Sequence, residues 1–183
     1  MWPLGHAAVA YLCYAGLWHS RTAQPPADGA AVGLLLGSQL PDLVDKPLSW
    51  YLSVLPTGRS LAHSLVVIGP LIALVWVLSS RYSRGEYGIA FGVGAIAHVL
   101  TDALPTLWSD GGASFLLWPL LALEPYPDGA PSIMGLLVDS LGDPFFISEF
   151  VLAAIAVGLW HRDGYPGLGL IQRRIAAVRS PMN

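Results

Sequence analysis

Residues 87–104 read YGIAFGVGAIAHVLTDAL, an apolar run with no basic residue whose strongly polar interruptions, His98 and Asp102, fall near its far end. A stretch of this length is long enough to cross the hydrocarbon core of a bilayer as a helix. His98 and Asp102 are four residues apart, so on that helix they share one face. An ionisable pair inside an apolar segment is costly and marks a working site by default. The same eighteen residues therefore raise the question of the fold and the question of the chemistry.

Outward from this run the chain stays apolar. Leu61 to Ser80 contains no Asp, Glu, Lys or Arg, Pro3 to His19 is almost uncharged, and Pro144 to His161 is apolar except for Glu149. Two shorter runs, Ala30 to Leu40 and Ser114 to Leu123, reach only about 16 and 15 Å as helices and read as half-crossings, re-entrant pieces or short packed helices. Over the 183 residues, 54% are hydrophobic and 11% charged, with a mean hydropathy of +0.57. Soluble domains carry roughly 25% charged residues, so a soluble globular class is set aside. The expectation is an all-α, polytopic membrane helical bundle of about five membrane segments. It is read as one membrane-embedded domain over 1–162, followed by a short basic cytoplasmic tail over 163–183.

Several functions drop out early. The net charge is −3 and the nine cations are scattered, which leaves no footprint for nucleic acid. Cys13 is the sole cysteine, so there is no internal disulfide and no CxxC motif. The N-terminal segment lacks the basic region of a cleaved secretory signal. Pro and Gly gather at 25–29, 41–47, 105–112, 125–131 and 142–144, which places the turns there.

Lys and Arg beside membrane segments are retained on the cytoplasmic side. Arg21, Arg81, Arg84, Arg162, Arg173, Arg174 and Arg179 share one side if segments 3–19, 61–80 and 144–161 run inward while 30–41 and 87–104 run outward; only Lys46 and Arg59 fall on the other. This topology puts the protein in the cell (plasma or inner) membrane and leaves the acidic loop 105–143 outside. It also gathers polar residues at one membrane level. His6 sits at the outer start of the first segment, Asp42 and Asp45 follow the outer end of the second in a turn bounded by Pro41 and Pro47, and His63 lies in the first turn of the third behind a Ser60 N-cap. His98 and Asp102 occupy the last outer turns of the fourth, and Glu149 the first outer turns of the fifth.

Imidazole and carboxylate are the ligands of zinc, manganese and iron in catalytic sites. His6, His63 and His98 are the expected nitrogen ligands, with Asp42, Asp45 and Asp102 as oxygen ligands or bridges. Such a set suits one or two divalent ions, zinc or alternatively manganese, and would activate water for hydrolysis. An uncoordinated carboxylate, Asp45 among the candidates, would act as general base. The planar fork of Arg59 suits a phosphate. Asp110 or Glu149 could supply a further ligand.

Each residue also has an ordinary explanation. A single membrane histidine commonly bonds a neighbouring helix, an aspartate near proline caps a turn, and an interfacial arginine snorkels. His19 and His161 fall at the cytoplasmic ends and read as interfacial. Beside the hydrolase stand two other readings: a metal-handling or transporting protein without catalysis, and a structural membrane protein. A transport path would spread polar groups over several depths, whereas here they collect at one end.

The order Gly5-His6, Gly37-Ser-Gln-Leu-Pro41-Asp42-Leu-Val-Asp45-Lys46, Gly58-Arg59-Ser-Leu-Ala-His63-Ser64, Gly94-Ala-Ile-Ala-His98-Val-Leu-Thr-Asp102 and Trp118-Pro119 resembles the membrane-bound metal-dependent hydrolases of the YdjM-like, LexA-regulated type. The resemblance covers roughly residues 5–120. That family looks distantly similar to zinc-dependent phospholipase C and the zinc single-strand nucleases, all-helical enzymes with an HxxxD motif. The resemblance implies a hydrolase in which His6, Asp42 or Asp45, His63, His98 and Asp102 hold the metal. Trp2 is not the first residue, so its amine is not carried over as a ligand. A site at membrane level with Arg59 nearby suits a lipid phosphodiester or another small or lipid-like phosphoester, with membrane lipid as the surrounding partner.

Overall fold

The computed structural model describes residues 1–108, 112–125, 131–170 and 172. Asp110 and Asp128, together with Arg173, Arg174 and Arg179 of the basic tail, lie outside them. Among the described residues the chain is helical with no strand. The order is α1 (Pro3–Thr22), α2 (Asp28–Trp50), α3 (Leu65–Arg81), α4 (Gly85–Ala103), two short 3-10 turns (Leu104–Trp108 and Ser114–Leu117), α5 (Ile133–Ser140) and α6 (Pro144–Arg162). The helical stretch Gly85–Thr106 and α6 are long and apolar enough to cross a membrane, and α3 is apolar but shorter. The five-segment expectation is thus met by two helices on length and composition. The cause is visible in α2, where Asp28, Asp42, Asp45 and Lys46 dilute the apolar content.

Helix α4 is the hub, packed against α1, α2 and α3, while α6 leans on α1. The α2–α4 contact is made backbone to backbone. A Cβ on Gly37 would collide with the Phe91 carbonyl oxygen and lie 2.9 Å from the Phe91 carbonyl carbon, and one on Gly94 would collide with the Leu34 carbonyl oxygen. Gly33 meets the Tyr87 carbonyl in the same way and Gly29 lies against the Tyr87 ring, so Gly29, Gly33 and Gly37, four residues apart, form a small-residue stripe that lets two helices approach closely. Gly33 meets Tyr87, Gly37 meets Phe91 and Ser38 meets His98, so α2 and α4 run parallel. Helices α1 and α6 are parallel too. Trp2 bonds Glu149 at one end, and Tyr11 bonds Asp163 at 2.7 Å toward the other.

Several expectations about local structure are corrected. Asp42 and Asp45 do not sit in a turn: α2 continues through both Pro41 and Pro47. An interior proline removes a backbone bond and crowds the preceding carbonyl, at a cost of about 3 kcal/mol. The close packing of α2 on α4, with Pro41 fully buried, holds the helix together across it. Nor does Ser60 cap the third helix. Ser64 does, accepting from the Val66 amide at 3.1 Å, so His63 precedes the helix instead of lying in its first turn. Ser60 is buried and its amide turns toward Asp45. The run 114–123 forms no half-crossing helix: Ser114–Leu117 is a single 3-10 turn. Helix α5 arises inside the stretch read as loop.

Exposed apolar side chains cover the outer faces, for example Leu74, Trp76 and Leu78 on α3 and Phe150, Val151, Ile155 and Val157 on α6. A soluble protein would not leave such faces uncovered. Lipid would cover them.

Candidate metal centre

The polar side chains converge at the end of the bundle where α1 and α6 begin and α4 finishes. His6, His63, His98 and Asp45 are fully buried, with Asp102 at 2% and Asp42 at 7% exposure. One atom each from Asp42, His63, His98 and Asp102 lie within 4.8 Å of one another. The individual separations are tighter. His63 Nε2 is 3.1 Å from His98 Nε2, 3.7 Å from Asp42 Oδ1 and 3.6 Å from Asp102 Oδ2, and His98 Nε2 is 3.6 Å from Asp42 Oδ1. Four ligands at about 2.1 Å from a tetrahedral ion stand about 3.4 Å apart. The donor set fits a single divalent ion.

The orientation of the three imidazoles points the same way. His98 Nδ1 lies 2.6 Å from the Ser38 carbonyl, which only accepts, so that nitrogen carries the proton. His63 Nδ1 lies 2.8 Å from Asp45 Oδ2, again an acceptor. Thr101 donates its one hydroxyl proton to the His98 carbonyl at 2.9 Å and so accepts from His6 Nδ1 at 3.1 Å. Each ring thus gives its Nδ1 proton to a carbonyl, a carboxylate or a hydroxyl and turns Nε2 inward. Metal-ligating histidines are held in this manner. Two buried polar atoms at the cluster, His6 Nε2 and Asp42 Oδ1, have no hydrogen-bond partner, although an unpaired buried polar group is costly. A metal would satisfy them.

His6 stands just beside the four-atom set. Its ring stacks on His98 with centroids 3.6 Å apart, and its Nε2 is 3.4 Å from Asp102 Oδ1, the oxygen facing away from His63. Asp45 is placed differently from the other carboxylates. Its Oδ1 accepts from the Ala62 amide at 2.8 Å, and its Oδ2 accepts from the Ser60 amide at 2.8 Å, the His63 amide at 3.2 Å and His63 Nδ1 at 2.8 Å. All its bonding is directed at the 60–63 loop. Burial lowers the His63 pKa, but its hydrogen bonds to the Asp102 and Asp45 carboxylates outweigh it and hold the ring above its ordinary value.

Cations line the outer edge. Lys46 Nζ is 2.5 Å from Asp42 Oδ2, and Arg59 Nε is 2.9 Å from Asp102 Oδ2. The Met1 nitrogen donates to Asp102 Oδ1 at 2.7 Å. Glu149, 2% exposed, accepts from the Trp2 amide at 3.0 Å, and a Cβ on Gly5 would collide with its carboxylate. Glu149 therefore anchors the first residues beside the cluster and is not among its four atoms. Ser64 Oγ donates to the Trp118 carbonyl, and Phe115 packs edge-on against His63. Phe115 thereby covers the His63 side, and the Trp118 carbonyl ties the same stretch to Ser64.

The residues that the sequence did not single out are Ser38 and Thr101. Ser38 acts through its backbone carbonyl, which any residue has. Thr101 carries a weak signal, one position before Asp102 on a helix whose other face is apolar.

At the opposite end, His19 Nε2 lies 3.1 Å from Asp163 Oδ1, the carboxylate that also takes the Tyr11 hydroxyl. This joins α1 to the end of α6 and has no link to the cluster.

Neither a curated protein nor a solved structure matches the chain. The sequence profile of the YdjM inner membrane protein family matches residues 1–169, which include every helix described above and all the residues of the cluster. A match over nearly the whole chain places the protein in the YdjM inner membrane protein family.

Proposed function

We propose that the protein is a membrane-bound metal-dependent hydrolase acting on a phosphoester or lipid-like substrate. The observation that carries this reading is the inward set of Nε2 atoms, each ring tied back through Nδ1, facing the Asp42 and Asp102 carboxylates at 3.6–3.7 Å. Asp42, His63, His98 and Asp102 would hold a divalent ion, zinc or alternatively manganese. His6, with its Nε2 facing the second Asp102 oxygen, would be the residue left to help hold a second ion. When bound, such an ion supplies a water acidified toward a pKa of about 7 and a Lewis acid for the phosphoryl oxygens.

The chain's own groups do the rest. Asp45 fixes the tautomer and direction of His63, and the Ser38 carbonyl does the same for His98. Arg59, 42% exposed on its side chain, stands where a substrate would approach and offers a planar fork to a phosphate. Asp45 has its lone pairs committed to four donors, which favours positioning over proton transfer. With Asp42 and Asp102 assigned to the metal, Glu149 is the carboxylate left to accept a proton.

The membrane arrangement belongs to the same proposal. Helices α1, α2, α3, α4 and α6 would form the five segments, with the cluster near the extracytoplasmic face. His19, Arg81, Arg84 and Arg162 all lie at helix ends away from the cluster, which supports a cytoplasmic side there. The test is turnover of mixed phospholipids and a generic phosphodiester by zinc-loaded protein. Hydrolysis that stops with a chelator and returns with zinc is expected. Stoichiometric metal without turnover of any phosphoester would leave a metal-handling membrane protein.

A further inference from the structure

Among the described residues, two side-chain cations touch the cluster, and they come from different elements. Lys46 of α2 is bound to Asp42, and Arg59 of the loop before α3 is bound to Asp102. The cluster is buried, with its carboxylates at 8% and 2% side-chain exposure, whereas Lys46 is at 29% and Arg59 at 42%. The two cations therefore form the boundary between the buried ligand atoms and the outside. Lys46 is also held over the Trp50 ring, 5.6 Å from its centroid, an attraction that keeps the ammonium at this edge.

Arg59 engages Asp102 Oδ2, the oxygen that also faces His63, while Lys46 engages Asp42 Oδ2 and leaves Oδ1 toward His63 and His98. A dication taking Asp42 and Asp102 satisfies their charge and repels an ammonium and a guanidinium at close range. Lys46 and Arg59 then stand at the mouth beside carboxylates whose charge is neutralised by the ion. We propose that they form a two-armed clamp for a phosphoryl oxyanion, freed for that role when the ion is taken up. The inference rests on the metal-centre reading and goes beyond it by giving Lys46 a part and by making both arms available only when the ion is bound. The arms differ in kind: lysine is a mobile point charge, and arginine a planar fork that can hold two oxygens at once.

The experiment uses full-length protein in detergent, with zinc content measured on each sample and inorganic phosphate titrated calorimetrically. Zinc-loaded wild type should bind phosphate. Lys46→Gln and Arg59→Gln should each weaken that binding about tenfold, as expected for one lost charge-assisted contact, while zinc content stays at the wild-type level. Lys46→Arg should recover most of the loss. A parallel arm in vesicles compares phosphatidic acid with phosphatidylcholine. Competition by phosphatidic acid supports a clamp serving a lipid headgroup, and binding of inorganic phosphate alone supports one serving a free phosphate. Variants that bind phosphate as wild type overturn the clamp, as does equal binding to zinc-free protein. Loss of zinc in both glutamine variants would make the cations supports of the cluster and also overturn it. Wild-type protein that takes no zinc refutes the metal reading itself, and the clamp with it.

Discussion

Asp45→Asn separates an orienting role for Asp45 from a ligating one. The wild-type carboxylate takes three donors on Oδ2 and one on Oδ1. An asparagine placed with its oxygen at Oδ2 keeps three acceptor contacts but makes them neutral, a loss of about 1 kcal/mol each. Its amide nitrogen then faces the Ala62 amide, donor against donor, which leaves a buried N–H unsatisfied at about 1–3 kcal/mol. The sum is on the order of 4–6 kcal/mol of folding free energy, a large share of a typical domain's stability. His63 would lose its fixed tautomer while keeping Nε2, and changes of this kind cost 10–100-fold in metal affinity. The assay is zinc competition against a chromophoric chelator, with thermal unfolding in the same detergent. Asp45→Asn should bind the same number of ions more weakly. Affinity within twofold of wild type would refute the orienting role. Complete loss of metal from a folded Asp45→Asn protein, as for a removed ligand, would show that Asp45 ligates directly.

Other changes probe the remaining parts. Gly37→Ala forces a methyl into the Phe91 backbone, which cannot swing aside as a side chain could; overpacking of this kind costs about 1–3 kcal/mol, so the melting temperature should fall and zinc affinity with it, because Ser38 and His98 are parted. His6→Ala should lower metal stoichiometry or affinity, because the unpartnered Nε2 is the atom left to ligate, and it should lower the melting temperature as well, because the Nδ1 bond to Thr101 and the stack on His98 are forfeited. The raised His63 pKa gives a signed pH effect. The imidazolium form stabilises the metal-free fold, fully below the ordinary value of 6.5 and less as pH rises through the raised value. Metal uptake must expel that proton, so zinc binding should tighten with increasing pH, and its calorimetric enthalpy should vary with buffer ionisation enthalpy. For orientation, Leu52→Cys in a Cys13→Ala background places an exposed thiol beside the cluster, and an impermeant maleimide should label it from the periplasmic side of intact cells.

Much of this arrangement was legible in the sequence. The apolar runs gave α1, α4 and α6 to within about three residues at either end, because nothing in those segments competes with the helix. The i, i+4 spacing of His98 and Asp102 put both on one buried face, as found. Helix α2 was misread because Pro41 and Pro47 are local stop signals, while what overrides them is the distant backbone of α4. The stripe of Gly29, Gly33 and Gly37 was the available clue. The role of Asp45 could not be read from its position, since it depends on how residues 60–63 fold back to present three amides. Ser38 contributes a carbonyl and so has no signature in a side-chain pattern.

Metal content tests the centre most directly. Detergent-purified wild type, His98→Ala, Asp102→Ala and, as a control at the opposite end, His19→Ala should be measured by mass spectrometry after zinc refeeding and removal of loosely bound ions. About one to two equivalents per chain are expected in wild type and His19→Ala, with His98→Ala and Asp102→Ala close to none. No metal in any sample, or equal metal in all four, would contradict the centre described here.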